Sequence, residues 1–429
     1  MTFWQEKMQN SPHVAVVVIS VAVMLLSGFL LTRITKRLKL PNVTAYILAG
    51  VLIGPYCLNL IPARIIEGTD FIADIALSFI AFGTGEFFRF STLKQNGGKV
   101  VLITLLESLL ASVAVFAVTF FALRLSLSFS VILAALAAAT APASTMMTIR
   151  QTGAKGDFVN TLLQVVALDD VVGLLAYSIA VSIAMSSLSG APNIQSVLKP
   201  IAYNVLVFLL GGLFGLFLEF FLHKRSNDNR LIVSVALLFS FCGICALLDV
   251  SPLLGCMSMG TVYGNLSHDG RLFKQLNYFS PPILLLFFVR SGLTFRLDAL
   301  TGTSAVGTSV PLFLIGILYF FTRILGKYAG AFLGCLLVKK PPRVRNFLGL
   351  ALIPQAGVAI GLAAMGARIL GGDAGNAVST VILASSVLYE LIGPACAKLS
   401  LYLSHSYERD PEKEPKEPIP KEPAQTSGS

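Results

Sequence analysis

Charge is what this chain has least of. Only 13% of its 429 residues are Asp, Glu, Lys or Arg, about half the charged share of a soluble domain, so a water-facing surface of ordinary extent cannot be built from it. Tryptophan occurs once, histidine four times and cysteine six times. Cys242 and Cys245 form a C-x-x-C, but at helical spacing inside an apolar block, with no second pair and no nearby histidine, which argues against a metal or redox centre. The first apolar block has no strongly basic flank before it and no small-residue cleavage pattern after it. It reads as a retained span, not a signal peptide.

What the chain does have is hydrophobic sequence, 55% of all residues, in blocks of about 20, the length a helix needs to cross hydrocarbon. Thirteen such blocks run from one centred near Val21 to one near Val387. They lack the period-two alternation of barrel strands, and in lipid the backbone must satisfy its own polar groups, so the blocks are expected to be helices. The fold class is therefore an all-α polytopic membrane protein of about thirteen transmembrane helices. Basic residues concentrate in the loops after odd-numbered blocks, including Arg33–Lys39, Lys224–Arg230 and Lys339–Arg345, with eighteen there against six on the opposite side. The positive-inside rule then puts the N-terminus outside and the C-terminus in the cytoplasm. The net charge of +10 is accounted for by topology, with no nucleic-acid partner. Residues 1–406 form the membrane domain, and 407–429 are expected to be a disordered cytoplasmic Glu/Lys/Pro tail.

Within the sixth block, from Phe158 to Met185, Asp169 and Asp170 are the only residues with a formal charge. A carboxylate at that depth is costly, and such groups mark ion or proton pathways unless they are simply paired. Three basic residues, Arg290, Arg323 and Lys327, also lie inside apolar blocks. Adjacent helix positions point about 100° apart, so the two aspartates cannot face one partner equally. Lys327 is the expected partner of one, because Gly326 and Gly330 beside it allow close helix approach. Arg323 shares its face one turn away. A static ion pair would explain one aspartate and leave the other without a structural task.

Two blocks are broken alike. The fifth reads Ala137-Ala-Ala-Thr140-Ala-Pro142-Ala-Ser144-Thr145, and the twelfth Leu350-Ala-Leu-Ile-Pro354-Gln355-Ala-Gly357. A mid-span proline removes one N–H and frees the carbonyl four residues earlier, here Ala138 and Leu350. Irregular backbone at that depth has to be buried in protein or line a wet cavity. Paired interrupted helices in the two halves of a chain point to inverted repeats and to a transporter's ion site at the midplane.

These residues resemble the monovalent cation:proton antiporter superfamily, in particular its second branch, which includes the NapA-type sodium/proton antiporters. The resemblance is carried by Ala49-Gly50-Val-Leu-Ile-Gly54-Pro55, Thr140, Ala167-Leu-Asp169-Asp170-Val-Val-Gly173-Leu, Phe287-Phe288…Gly292-Leu, Leu325-Gly326-Lys327…Gly330 and Pro354-Gln355-Ala-Gly357. It implies two crossing broken helices and a core domain moving against a dimerisation domain, in an inner-membrane homodimer. It further implies that Asp170 alternately holds Na⁺ (or Li⁺ or K⁺) and a proton, that Asp169 pairs with Lys327, and that Thr140 is the hydroxyl at the crossover. No cofactor is implied. The chain departs from the pattern at Pro354-Gln355-Ala356, where those antiporters carry a basic and an acidic residue, and at Arg290 and Arg323, where they are apolar. Glu107 and Glu390 are available to neutralise these two arginines.

Exchange would follow from competition. Asp170, Thr140 and a freed carbonyl could ligate sodium, and a proton could replace it on the same carboxylate. If the site must be neutralised before it crosses, the two movements are coupled. If cation binding also breaks the Asp169–Lys327 pair and Lys327 loses its proton, two protons move per cation and transport is electrogenic. The alternatives are a K⁺:proton antiporter and a sodium-coupled symporter of a small organic anion. An intramembrane aspartyl protease would need its two aspartates on separate, facing helices, so the chain is not expected to be an enzyme.

Overall fold

The computed structural model describes residues 7–8, 11–37, 42–86, 88, 90–141, 145–146, 148–149, 152–189, 194–222, 227–248, 250–267, 270–295, 310–355 and 357–407. Every regular element among them is helical. In chain order they are α1 (His13–Arg37), α2 (Asn42–Ile53), α3 (Ala63–Gly68), α4 (Phe71–Gly85) and α5 (Phe90–Phe116), the last running into a π-helical turn, Ala117–Ala122. Next come α6 (Leu127–Ala138), α7 (Asp157–Ser189), α8 (Ile194–Leu222), α9 (Asn227–Leu247), α10 (Leu253–Leu266) and α11 (Arg271–Phe279). The last five are α12 (Pro281–Leu293), α13 (Leu312–Leu337), α14 (Pro342–Ala351), α15 (Gly357–Leu370) and α16 (Gly372–Leu403).

Each of the thirteen apolar blocks has its centre in a helix, but blocks and helices are not one to one. Seven helices are long and apolar enough to cross a membrane alone, and α11 with α12, bent by 46° at Ser280, makes an eighth. Four shorter apolar helices, α2, α4, α6 and α15, have 12 to 15 residues. The ninth block, short in sequence, is the 14-residue α10. The expected tail lies, from residue 408 on, outside the described residues.

Burial separates centre from periphery. In the most apolar stretch of α1 only 22% of residues are buried, whereas in α16 the share is 56%. The peripheral helices present large side chains outward, among them Leu26 and Leu30 on α1 and Leu209 and Phe220 on α8. Lipid tails are as apolar as leucine, so helices here associate through close packing of small residues and through polar contacts.

Glycine sets the closest of these approaches. On α13, Gly326, Gly330 and Gly334 recur every four residues, forming one stripe along the helix. A Cβ on them would meet Ala111, Glu107 and Ile103 of α5 respectively, at 2.6, 2.5 and 2.8 Å from the Cα atoms. The two helices touch backbone to backbone, and their side chains cannot avoid one another. This contact brings Lys327 to the face of α5 that carries Glu107.

Among the described residues three ion pairs lie away from this contact, one of them Lys340 Nζ with Asp157 Oδ1 at 2.8 Å. Arg290 of α12 is paired with Asp70 at the start of α4, and also donates to Thr69 Oγ1 at 3.3 Å and the Ile66 carbonyl at 3.2 Å. Arg368 of α15 grips Asp74 of α4 with both terminal nitrogens, at 2.9 and 3.3 Å. Arg290 is thus neutralised by Asp70, not by Glu107 or Glu390 as the sequence suggested.

The glycine stripe makes a testable contrast on one helix. Gly330→Ala should destabilise the protein by about 1–3 kcal/mol through overpacking. Gly316→Ala, also on α13 but with nothing within 4 Å of the new Cβ, should be neutral or stabilising by up to about 1 kcal/mol. Melting curves of the two detergent-solubilised variants check this, with equal shifts contradicting it.

Candidate ion-binding site

The first broken element begins in order. Ser126 caps α6, its hydroxyl accepting from Phe129 N at 3.4 Å, and the helix runs to Ala138 before the chain becomes extended at Ala139. The second, α14, ends at Ala351, just short of Pro354, and α15 resumes at Gly357. The proline positions explain where helical hydrogen bonding stops. The two breaks meet directly. Ala141 N donates to the Pro354 carbonyl at 2.9 Å, and Thr145 Oγ1 to the Ala351 carbonyl at 3.3 Å. Room for the crossing is left by Gly393 of α16, where a Cβ would lie 2.8 Å from Pro354 Cγ. Pro142 and Ser144 lie outside the described residues.

Helix C-termini expose carbonyls carrying the negative end of the helix dipole. At this crossing they converge on Arg323, which is fully buried. Its Nε donates to the Ala137 carbonyl at 3.0 Å, Nη2 to Ala139 at 2.6 Å and Nη1 to Ile353 at 2.8 Å. The guanidinium lies 4.6 Å over the Tyr389 ring, a cation–π contact that suits a planar cation. Gln355, also fully buried, donates from Nε2 to the Leu136 carbonyl at 2.6 Å and accepts from the Tyr319 hydroxyl at 3.3 Å. The carbonyls of Leu136, Ala137, Ala139 and Ile353, around the two breaks, are thus each occupied by a side chain.

Beside the crossing lies α7. Gly173, one turn after the aspartates, faces Ala139, the residue before Thr140; a Cβ on it would be 3.6 Å from the Ala139 Cα. Asp169 and Asp170 are both buried and differ sharply in their partners. Asp169 Oδ2 accepts from Lys327 Nζ at 2.9 Å, and its Oδ1 contacts Ser108 Oγ. Lys327 Nζ donates equally to Glu107 Oε2 at 2.7 Å, and Ser108 Oγ also meets Glu107 Oε1 at 3.2 Å. Glu107, expected to neutralise an arginine, instead shares Lys327 with Asp169. The sequence signal for this was present but unused. Glu107 is the one acid in the fourth block, and the four-residue glycine repeat beside Lys327 had to pack on some helix. Glu390 is buried on α16 next to Tyr389.

Asp170 is the exception. Neither of its carboxylate oxygens has a hydrogen-bond partner among the described residues, and Thr140 Oγ1 is likewise unpartnered and buried. The Thr84 hydroxyl, near Asp170, is committed to the Ile80 carbonyl at 3.0 Å. Orphaned buried oxygens cost free energy, most of all on a carboxylate.

Crossed helix breaks around an unpartnered aspartate, in an all-helical multi-pass protein, define a membrane transporter of small ions. The family described as sodium/hydrogen exchanger, transmembrane, matches residues 20–394, and the chain belongs to it. It is 22% identical over 387 residues to probable Na(+)/H(+) antiporter 3 of Methanocaldococcus jannaschii, covering 86% of this chain and 93% of that one. It is 25% identical over 280 residues to iron transporter MagA of Paramagnetospirillum magneticum, covering 63% and 62% of the two chains. Its fold matches that of the sodium proton antiporter MjNhaP1 from M. jannaschii with a TM-score of 0.72 over 91% of this chain, at 19% identity.

Removing the guanidinium should undo the crossing. Arg323→Ala would leave three buried carbonyls unpaired, at about 1–3 kcal/mol each, and should lower stability by about 3 kcal/mol or more. Arg323→Lys, a point charge without the planar fork, should recover part of that loss. Thermal unfolding followed by tryptophan-independent light scattering or circular dichroism reads both. A melting temperature unchanged in Arg323→Ala would show that these carbonyls find other partners.

Proposed function

We propose that the protein exchanges a monovalent cation, sodium in the first instance, for protons across the membrane, with Asp170 taking each in turn. The observation that carries this reading is the asymmetry of the adjacent aspartates. Asp169 is held by Lys327 and Ser108, with Thr140 beside it, whereas neither carboxylate oxygen of Asp170 has a geometric hydrogen-bond partner among the described residues. Carboxylate and hydroxyl oxygens are suitable ligands for a hard cation. A proton on Asp170 removes the charge that attracts the cation, so the two ligands exclude one another. Family membership and the antiporters among the similar proteins support the same activity.

Alternating access supplies the coupling. An ionised, empty Asp170 is costly to carry through a dry barrier, whereas the protonated or cation-loaded site is neutral there and can cross. The peripheral and central helices would be the dimerisation and core parts, in an inner-membrane homodimer with its N-terminus outside and C-terminus in the cytoplasm. A second proton per cation, residing in the Lys327 cluster, would make exchange electrogenic.

Purified protein in liposomes with a trapped pH dye, challenged with Na⁺, Li⁺, K⁺ and small organic anions, tests the activity. Alkali cations should drive proton movement, with sodium the most effective, and organic anions should not. Asp170→Asn, which fits the same space but cannot trade a cation for a proton, should abolish this while the protein remains folded and inserted. Exchange at near wild-type rate in that variant would reject the site.

A further inference from the structure

Three helices run from the Asp170 site to a pair of cavities at one end of the bundle. On α7, Asp170, Tyr177 and Val181 share a face, since steps of seven and eleven residues are close to whole turns, and Val181 lines a cavity of about 470 Å³. On α4, Thr84 lies near Asp170, and Asp74 lines a second cavity, of about 380 Å³. On α15, Gly357 follows the crossing and Arg368 lines both cavities. The start of α4 and the ends of α7 and α15 thus lie together, on the face proposed above as outside.

Arg368, with Met365 and Val250, forms the wall that the two cavities share. Its guanidinium is held there by Asp74, which it grips with both terminal nitrogens. Along α7, Tyr177 stands between Asp170 and the larger cavity. It is buried, and its hydroxyl has no partner among the described residues. A Cβ on Gly366, two residues before Arg368, would come 3.3 Å from that hydroxyl. An orphaned hydroxyl in a dry interior costs free energy, and this one lies on the line from cavity to carboxylate.

The helix contact that this pair fastens is looser than its neighbours. A Cβ on Gly50 would meet the α12 backbone at Gly292, one on Gly260 the α4 backbone at Phe82, and one on Gly211 the α10 backbone at Gly255. Those contacts, like the α5–α13 stripe, lock backbone to backbone. Between α15 and α4 the glycines meet side-chain ends instead: a Cβ on Gly357 would lie 3.1 Å from Ile80 Cδ1, and one on Gly361 would strike the Leu77 side chain. Arg368 and Asp74 close the outer end of this antiparallel seam. Lys340–Asp157 lies within the central helices and Arg290–Asp70 within the peripheral ones, whereas Arg368–Asp74 joins the two groups. Its side chains are 46% and 23% exposed, and an ion pair in contact with water opens at little cost.

Resting on the exchange reading above, we propose that the cation reaches Asp170 from this face between α4, α7 and α15, and that Arg368, latched to Asp74, is the gate. Latched, the guanidinium stands across the cavities and repels cations. Released, it lets the two cavities join, and the freed Asp74 carboxylate draws a cation inward. The Tyr177 hydroxyl supplies an oxygen on the way to Asp170. The smooth track of Gly357 and Gly361 lets α15 shift along α4 as the latch opens.

Sidedness reads the gate, because a broken latch favours the state open to this face. Proton flux in oriented liposomes, with sodium added to one face at a time, gives a half-saturating concentration for each. Arg368→Gln should lower that value on the gated face by about two- to fivefold, the worth of a partly exposed ion pair, and should not lower it on the opposite face. Arg368→Lys, which keeps the charge pair, should stay near the wild type. An equal fall on both faces, or none on the gated one, overturns the proposal, and so does a lysine variant that behaves like the glutamine one. Labelling supplies a readout independent of transport. Tyr177→Cys, in a background lacking the native cysteines, should react with a membrane-impermeant thiol reagent from the gated face, and about two- to fivefold faster once Arg368→Gln is added. An unchanged rate, or reaction from the opposite face alone, contradicts the gate. Absence of any cation-driven proton flux in the wild type would reject the exchange reading itself, and the labelling would still decide whether Arg368 closes this path.

Discussion

Helix ends facing one another in the middle of a membrane protein are held together here by a single guanidinium. The constraint behind this is general: a backbone carbonyl in a dry interior needs a partner. Two helices broken near their middles create several such carbonyls at one place. Arg323 takes three of them, from both breaks, and Gln355 takes a fourth. With the ends pinned, the extended segment carrying Thr140 has a fixed position, and α7 can lie against it with its aspartates at the crossing. In the proposed exchange, Asp170 and Thr140 beside this crossing supply oxygen ligands to the cation.

The same interior separates two adjacent and chemically identical residues. Asp169 points to the α5–α13 contact, where the glycine stripe forces Lys327 and Glu107 together, and its charge is absorbed in a closed set of hydrogen bonds. Asp170, about 100° further round α7, is left open. One aspartate is therefore tied into the packing, and in the proposed exchange its neighbour is the one that takes cation or proton. The two arginines of the apolar blocks have separate partners, Arg323 at the crossing and Arg290 with Asp70 at the start of α4.

Much of this was legible in the sequence, for definite reasons. The composition and the block lengths imply membrane helices because hydrocarbon allows little else. The prolines at 142 and 354 mark the breaks because proline removes a donor wherever it stands. The Asp169–Asp170 pair stood out because nothing near it in sequence could neutralise it. What the sequence concealed was partner choice. Glu107, Asp70 and Tyr389 are each far along the chain from the basic residue they meet, and no periodicity in a single helix reveals which face of which neighbour it will touch. The glycine repeat on α13 announced a close contact without naming α5.

The central claim is that one carboxylate, Asp170, is the place where cation and proton compete. Calorimetric titration of sodium into the purified protein at a series of pH values measures this without transport. The account predicts that binding releases protons, that the apparent affinity falls by about tenfold for each unit of pH once Asp170 is protonated, and that both effects vanish together when the residue becomes asparagine. Sodium affinity independent of pH, with no proton released, would contradict it.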